Sequence, residues 1–164
     1  MLRFAGAVSL RPATPADDAF LCEVYSSTRR EEMAAAGFPP DVEAAFLRQQ
    51  HETQLRAYPL QFPGAEHSVV LDAGVPVGRT WVWRTDEDIL LADIALLPEH
   101  RGRGTGTTVL LALQREAATR GVALRLHVSE GERVAAWYRQ LGFATVERHA
   151  TCEEMVWRAV AEVA

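Results

Sequence analysis

The stretch that decides the fold begins with an apolar segment, Ile89-Leu90-Leu91-Ala92-Asp93-Ile94-Ala95-Leu96-Leu97, and continues through the turn Pro98-Glu99-His100-Arg101-Gly102-Arg103-Gly104-Thr105-Gly106. The apolar segment predicts a strand covered on both faces, because Asp93 is its only polar residue. Pro98 ends it, since proline has no N–H to give to a neighbouring strand. From Thr107 to Arg120 apolar residues recur at helical spacing, and Gly121 suits the helix stop. The stretch is therefore predicted to be a strand, a glycine-rich turn and a helix.

The junction of the turn and the helix has the features of an anion site. The first N–H groups of a helix lack partners within it, and the helix dipole places partial positive charge at that end. Gly102, Gly104 and Gly106 allow a bulky anion to approach the backbone closely. Arg101 and Arg103 add charged donors that suit phosphate oxygens. We interpret the junction as a pyrophosphate pocket; the alternative is a tight connection with two solvated arginines.

Two common nucleotide-binding motifs do not fit this turn. A Walker A loop needs Gly-Lys followed by Ser or Thr, and the chain contains no lysine. A dinucleotide fold places its glycine turn after the first strand, with an acidic residue about twenty positions later. Here the turn comes two-thirds of the way along the chain, and the next apolar segment, Leu124 to Val128, has no acidic residue.

A family resemblance rests on two motifs. Arg101-x-x-Gly104-x-Gly106, directly after the apolar segment, resembles the coenzyme A pyrophosphate loop of the GNAT superfamily of acetyl-CoA-dependent N-acetyltransferases. Val134-Ala135-Ala136-Trp137-Tyr138-Arg139-Gln140-Leu141-Gly142-Phe143 resembles the second signature of that family, a helix that carries a tyrosine and ends in Gly-Phe. The two motifs stand in the family's order and spacing. The resemblance covers residues 9–158 of what we expect to be a single domain, 1–164.

Composition narrows the other classes of function. The 164 residues, 48% of them hydrophobic, suffice for one domain with a substantial core. A net charge of −5 argues against a nucleic-acid partner, which requires a basic face. Cys22 and Cys152 lie far apart and form no disulfide framework, which favours a reduced, cytoplasmic setting. No signal peptide is evident, and no apolar run approaches the ~20 residues of a membrane span.

The rest of the pattern predicts an α/β fold. A short strand, 8–11, precedes a helix that starts at Thr14-Pro15, with threonine as N-cap. Residues 28–40 are interpreted as a loop or broken helix, and a second helix is expected from Asp41 to Tyr58, ended by the segment that begins with Pro59. Further strands are predicted at 67–72, 75–84, 122–128, 143–147 and 152–157, with a helix at 133–141. The resemblance implies that these strands form a mixed, mostly antiparallel central sheet of about seven strands flanked by helices, splayed between the fourth and fifth strands, near Leu96 and His127.

The resemblance also implies direct transfer of acetyl from acetyl-CoA to a primary amine in a ternary complex. Pantetheine would lie in the splay and bond to strand backbone like an added strand, while a backbone N–H near Leu96 or Leu97 would polarise the thioester carbonyl. The residues expected to bind the coenzyme are Ile94, Ala95, Leu96, Leu97, Arg101, Gly102, Arg103, Gly104, Thr105, Gly106, Thr107 and Arg133.

Three residues are candidates for catalysis. Tyr138 matches the family tyrosine that protonates the departing thiolate; the alternative is an aromatic ring packed beneath its helix. The amine must lose a proton, and Asp93 and His127 are the candidate bases, each a polar residue in an apolar strand beside the splay. Asp93 could instead be a buried acid held by hydrogen bonds or an arginine, and His127 a strand histidine that faces solvent. We expect His67 to lie at the surface.

One departure from the family concerns the start of the tyrosine helix. The family often has asparagine about seven residues before the tyrosine, bonded to coenzyme A or a neighbouring loop, whereas Gly131 and Glu132 occupy that region here. Arg133 could compensate by binding a phosphate. His51, His100 and His149 have no mutual spacing typical of a metal site, so no metal is expected.

The sequence does not specify the acceptor beyond an amine of a small metabolite or a peptide. In this family the segment between the first two helices and the last hairpin shape the acceptor pocket. They contain Arg29, Arg30, Glu31, Glu32, Met33 and Phe38, and Arg148, His149, Ala150 and Thr151; Tyr25, Gln50, Gln54 and Trp83 are further candidates. The alternative function is a catalytically silent acyl-CoA-binding module that senses coenzyme A or docks a partner. No membrane partner is expected, and the family allows a homodimer.

Overall fold

The structure, a computed structural model, describes residues 2–3, 6–129 and 131–160. The helices are α1 (Asp18–Ser27), α2 (Arg30–Ala36), α3 (Pro40–Gln61), α4 (Thr105–Arg120) and α5 (Glu132–Gln140), with short 3-10 turns at Pro15–Asp17 and Pro98–His100. The strands are β1 (Leu2–Arg3), β2 (Val8–Pro12), β3 (Glu66–Asp72), β4 (Val75–Arg84), β5 (Asp88–Leu96), β6 (Ala123–Val128), β7 (Ala144–Arg148) and β8 (Glu153–Trp157).

These strands form one sheet in the order β1-β2-β3-β4-β5-β6-β8-β7. Each neighbouring pair is antiparallel except β5 and β6, which are parallel. The mixed, mostly antiparallel sheet flanked by helices is therefore confirmed. It has the seven expected strands and, at one edge, the additional two-residue strand β1.

The splay between the two parallel strands is also present. Asp88 to Leu91 pair with Ala123 to Leu126, and among the described residues the pairing does not continue beyond Leu91. On its other side β5 stays paired with β4, although Trp81 faces Asp93 while Val82 faces Leu91. Ala92 is thus an extra residue on β5, and such a bulge bends a strand. The bend lies where β5 and β6 separate.

The sheet is covered by helices on both faces. Alternation along β4 directs Arg84 and Arg79 to opposite faces. Arg84 binds Glu116 of α4, whereas the Arg79 guanidinium lies against the ring of Tyr25 in α1. The larger core lies on the α4 side, where the helix contributes its predicted apolar stripe, Val109, Leu110, Leu113 and Ala117.

Two comparisons with the sequence prediction concern the first half of the chain. Residues 28–40 contain α2, which ends at Gly37 in the left-handed conformation (φ 68°), so the broken-helix interpretation is confirmed. Pro59 does not end the second helix, because α3 continues to Gln61. It lies in the last turn, where a proline removes one hydrogen bond and Phe62 N–H still donates to Tyr58 O at 2.8 Å.

Within the residues that the structure describes, no helix combines the length and the apolar character needed to cross a membrane. The longest, α3, has 22 residues and carries charged residues along most of its length.

Candidate active site

The glycine turn delivers the chain into α4 with unpaired N–H groups. Gly102 and Gly104 have φ of 71° and 83°, a conformation that other residues rarely adopt. Gly104 is the N-cap, and Thr108 N–H donates to its carbonyl at 2.9 Å. The preceding N–H groups, those of Thr105, Gly106 and Thr107, therefore have no partner within the helix. This arrangement suits a phosphate, and its use as the coenzyme cradle stays a prediction.

The three glycines of the turn differ in what their positions require. A Cβ at Gly102 or Gly104 would meet no atom within 4 Å, so their backbone conformation alone requires glycine. Gly106 has an ordinary helical conformation, and a Cβ there would lie 3.4 Å from the ring of Trp137, which is ordinary van der Waals contact. Gly106 therefore lies beside α5 at the first turn of α4, where the contact leaves room for a methyl group.

Arg101 connects the turn to the splay. Its Nε donates to the carbonyl oxygen of Leu96 at 2.9 Å, although the side chain is exposed. Arg103 is exposed on the same turn, and Arg133 is exposed on the first turn of α5. The structure therefore gives Arg101 an anchor in addition to its expected phosphate contact.

The edge of β5 that faces the splay is defined by its hydrogen bonds to β4. Leu97 N–H donates to Val77 O at 2.9 Å, so the expectation that Leu97 polarises a thioester is wrong. Backbone groups alternate in direction along a strand. Ile94 and Leu96 consequently direct their N–H groups towards the splay, where β6 no longer pairs. Leu96 remains the candidate donor, and Ile94 is a second one.

Tyr138 lies on α5 and faces the main core. It is 7% exposed, and its ring meets Phe143 edge-on, with ring centroids 5.6 Å apart. The ring of the neighbouring Trp137 also packs against it, with ring centroids 4.8 Å apart. Tyr138 therefore packs in the core, as the alternative interpretation expected. Its use as an acid stays a prediction.

Asp93 is held by an arginine, as one of the alternatives anticipated. Arg79 Nε lies 2.8 Å from Asp93 Oδ2, and the two side chains are 2% and 21% exposed. The N–H of Nε is not aligned for a hydrogen bond, so the contact is an ion pair. The Asp93 carboxylate thus joins a buried cation to an accessible surface.

His127 lies across the splay from Asp93. It is exposed on β6, opposite Glu154 of β8. The solvent-facing interpretation of His127 is confirmed, and its use as a base stays a prediction.

A layer of polar side chains lies between α3 and the sheet. His51 is fully buried and its Nε2 lies 3.2 Å from Asp18 Oδ1; burial lowers its pKa, against the opposing effect of Asp18. His67 stacks on Trp81 with ring centroids 4.1 Å apart. Burial, aided by the charges of Arg79 and His51, lowers the pKa of His67 to about 4. His67 is half-buried rather than at the surface as expected, because its ring lies against Trp81 of β4.

Tyr58 of α3 extends the layer towards Asp93. Its ring meets Trp81 edge-on at 5.3 Å. Burial, and then the negative charge of Asp93, raise its pKa above the ordinary value. Sequence analysis missed Tyr58 and Arg79. One signal was available for Arg79, which interrupts the otherwise uncharged run from Val75 to Trp83.

Two cavities lie at the segments expected to shape the acceptor site. The first, about 230 Å³, is formed by the end of β6, the start of α5 and the last hairpin, and includes Ser129, Gly131, Arg148, His149, Thr151 and Cys152. The second, about 60 Å³, lies among α1, α2 and α3 and includes Tyr25, Arg29, Glu32, Met33, Phe46 and Gln50. Each contains residues named as acceptor candidates.

A cluster of side chains of metal-ligating type lies at the last hairpin. Ligand atoms of Glu147, His149 and Glu154 all lie within 4.8 Å of one another. Glu154 already binds the Arg125 guanidinium, and Glu147 and His149 are exposed. This geometry does not require an ion, and the expectation of no metal stays a prediction.

Comparison with known proteins agrees with this architecture. The family model described as Acetyltransferase (GNAT) domain matches residues 63–145, a range that includes the splay, the glycine turn and the tyrosine helix. The chain therefore belongs to the GNAT acetyltransferase family. No curated protein matches the sequence significantly.

Solved structures show the same fold. The PaiA N-acetyltransferase of Thermoplasma acidophilum, in complex with coenzyme A, superposes with a TM-score of 0.67 at 17% identity, over 93% of this chain and 99% of the other. An acetyltransferase from Thermus thermophilus gives a TM-score of 0.66 at 22% identity, over 96% and 100% of the two chains. At this identity the likeness concerns the fold alone.

Proposed function

We propose that this protein is an N-acetyltransferase that moves acetyl from acetyl-CoA to a primary amine of a small metabolite or a peptide. One observation carries the proposal. The unpaired edge of β5 leads directly into the glycine turn and the start of α4, and Arg101 bridges the two through Leu96 O. The backbone edge of β5 suits pantetheine, which can bond to it like an added strand. The start of α4, which comes next along the chain, suits the pyrophosphate. The coenzyme complex of the structural relative supports this use.

The reaction needs three groups. The amine nitrogen attacks the thioester carbonyl, and the developing oxyanion accepts a hydrogen bond from the N–H of Leu96 or Ile94. As the new C–N bond forms, the nitrogen gives its proton to a base. The C–S bond then breaks, and Tyr138 donates a proton to the departing thiolate. The products are the N-acetyl amine and free coenzyme A, without a redox step.

Asp93 is our choice for the base. It lies on β5 beside the unpaired edge, and part of its side chain is exposed. His127 lies on the other strand of the splay and is more open to solvent. A base that is shielded on one side and accessible on the other can receive a proton from a bound amine or through one water.

The acceptor approaches through the segments that border the two cavities. The cavity at the last hairpin is the larger and adjoins the end of β6 beside the splay. Its lining includes both Arg148 and Glu153, so it offers contacts to acidic and basic groups. This mixture suits an amino-acid or peptide amine better than a purely apolar one.

A specific observation favours the silent acyl-CoA-binding alternative. Tyr138 packs in the core and Asp93 pairs with Arg79, so both candidate catalytic groups also have structural contacts. In that alternative the phosphate loop and the β5 edge bind the coenzyme and nothing turns over.

The experiment combines binding with turnover. Thermal unfolding is followed with and without acetyl-CoA at about 100 times Kd, where a ligand specific to the folded state adds roughly 2.7 kcal/mol and raises Tm by roughly 5–10 °C. Arg101→Glu should lose this shift, whereas Arg115→Glu, a charge reversal later in α4, should keep it. Coenzyme A release is then measured with a broad amine panel. Acetyl-CoA binding without coenzyme A release supports the silent acyl-CoA-binding module. If acetyl-CoA does not raise the Tm of the wild type, both functions are refuted.

The remaining proposals concern setting and partners. We propose a cytoplasmic protein without nucleic-acid or membrane partners, on the grounds of the two free cysteines and the net charge of −5. Size-exclusion chromatography with light scattering tests whether it forms the homodimer that the family allows.

A further inference from the structure

Arg79 is an unusual residue for the middle of a sheet. It lies on β4, is 1% exposed, and forms the ion pair with Asp93. Its guanidinium carbon lies 5.3 Å from the centre of the Tyr25 ring. Among the described residues, its Nη1 has no hydrogen-bond partner. A buried guanidinium with an unpaired nitrogen is costly, because the desolvation of the charge is only partly compensated.

The residues around Arg79 do not form a conventional stabilising network. His51 Nδ1, His67 Nε2 and Trp81 Nε1 are also buried without a hydrogen-bond partner in the part of the chain that the structure describes. An apolar pair at the positions of Arg79 and Asp93 would avoid the desolvation cost, and such replacements are often neutral or stabilising. Stability alone therefore does not account for an arginine at this position.

A second arginine on the same strand shows the conventional arrangement. Arg84 binds Glu116 of α4 at 2.6 Å and Glu66 at 2.8 Å, and its side chain is 22% exposed. Two carboxylates and solvent access satisfy its charge. Arg79, which has almost no solvent access, instead directs its charge at Asp93, the candidate base.

We propose that Arg79 is a positioning residue, which holds the Asp93 carboxylate at the unpaired edge of β5, in the orientation that receives the proton of the acceptor amine. The inference rests on the proposed function. Because the arginine is deeply buried and its partner is partly exposed, the pair sets the orientation of a carboxylate that remains accessible from the surface. Arg79 itself is too deeply buried to touch the substrate.

Other charged and titratable groups surround the pair, and they shape the pH dependence. Tyr25 faces it from α1, His51 and Tyr58 from α3, and His67 from β3. The pKa values of both histidines lie below the ordinary value, owing mainly to burial, so both are neutral near pH 7. Around neutral pH, Arg79 therefore places a positive charge next to Asp93, whereas the two histidines do not.

The test replaces Arg79 by Met, which has a similar length and no charge, and by Lys, which keeps the charge without the planar fork. We expect Arg79→Met to lower kcat/KM for the amine at least about tenfold and to displace the acidic limb of its pH profile. KM for acetyl-CoA should stay within about twofold. Arg79→Lys should lie between the wild type and Arg79→Met. Arg84→Met is the matched control, since it removes an ion-paired arginine from the same strand and should keep the wild-type pH profile.

Crystal structures of Arg79→Met and Arg84→Met provide a readout that does not need turnover. The Asp93 carboxylate should turn away from its wild-type position in the first variant and keep it in the second. An unmoved Asp93, or an unchanged acidic limb in an active enzyme, would overturn the inference. If the wild type releases no coenzyme A with any amine, the proposed function fails, and the Asp93 orientation still decides the positioning role. Should Arg79→Met not fold, the same two measurements on Arg79→Lys decide.

Discussion

The proposed coenzyme side and the proposed acceptor side of this molecule are built in different ways. On the coenzyme side the functional groups are backbone N–H groups: those of Thr105, Gly106 and Thr107 at the start of α4, and those of Ile94 and Leu96 on β5. On the acceptor side they are side chains from separate elements, centred on the Arg79–Asp93 pair. The first set lies within a short, continuous segment, whereas the second is assembled from α1, α3, β3, β4 and β5.

This difference determines how each side responds to substitution. A backbone donor survives most side-chain changes, so the coenzyme side should fail only where conformation or charge is altered, as at Gly104 or Arg101. A side-chain cluster depends on each member, because removing one partner of a buried pair leaves the other uncompensated. Acceptor-side variants should therefore change kinetics or pH dependence while acetyl-CoA still binds.

The largest effect is expected at Tyr138, the proposed acid. Tyr138→Phe keeps the ring against Phe143 and removes the proposed acid, so kcat should fall by about 10²–10⁴-fold. The acetyl-CoA-induced rise in Tm should match the wild type, which shows that the fold and the coenzyme site persist. Unaltered kcat at saturating substrates would limit Tyr138 to packing.

The next largest effect is expected at Asp93, the proposed base on the acceptor side. Asp93→Asn should lower kcat/KM for the amine by about 10²-fold and abolish the rise of activity on the acidic side of the pH profile. It also leaves Arg79 uncompensated, so assays should run well below a reduced Tm. His127→Gln is the comparison variant. If the acidic limb survives in Asp93→Asn and disappears in His127→Gln, the base lies on β6.

A smaller effect is expected at Gly78 of β4, which pairs with Leu96 of β5. A Cβ at this position would lie 2.2 Å from Ala95 O and 2.6 Å from Leu96 Cδ2. Gly78→Ala must push the strands apart and should cost about 1–3 kcal/mol in the free energy of unfolding. Gly106→Ala gives the contrast, because its Cβ meets only a ring edge at 3.4 Å. Equal stability losses in urea for both would refute this explanation.

The smallest effect concerns pH and stability. The folded-state pKa of His67 is about 4, below its ordinary value of 6.5, so the unfolded chain takes up the proton first. The free energy of unfolding is therefore fully retained above pH 6.5 and falls as the pH drops towards 4. The loss from this residue should be about 2 kcal/mol between about pH 7 and pH 5.

His67→Phe, which keeps a ring against Trp81, should reduce the acid dependence of Tm. The exposed His149 provides the control, because His149→Phe should leave that dependence unchanged. His51, whose pKa is also lowered, accounts for a remaining slope. Identical pH curves for the wild type and His67→Phe would show that His67 is not buried as a neutral ring.

The local pattern of the chain predicted most of the elements, for reasons visible in single segments. β4 was expected at 75–84 and spans Val75–Arg84, because its apolar run is bounded by the Ala73-Gly74 turn and by Thr85. The second helix was ended too early, since Pro59 was taken as a stop, whereas a proline in the last turn costs one hydrogen bond. His67 was placed at the surface because nothing in its own strand shows that Trp81 of β4 stacks on its ring.

The candidate site divides in the same way. The sequence alone determined the elements of the proposed coenzyme side, since left-handed glycines, a helix start and a strand-ending proline are local properties that a linear pattern displays. It also named Asp93 and Tyr138. Only the tertiary structure decided that Leu97 N–H is engaged by Val77, that Arg79 meets Asp93, and that His51 is buried and His67 half-buried near them. These contacts join residues distant in the chain, and burial, which sets their charges, arises only when the helices cover the sheet.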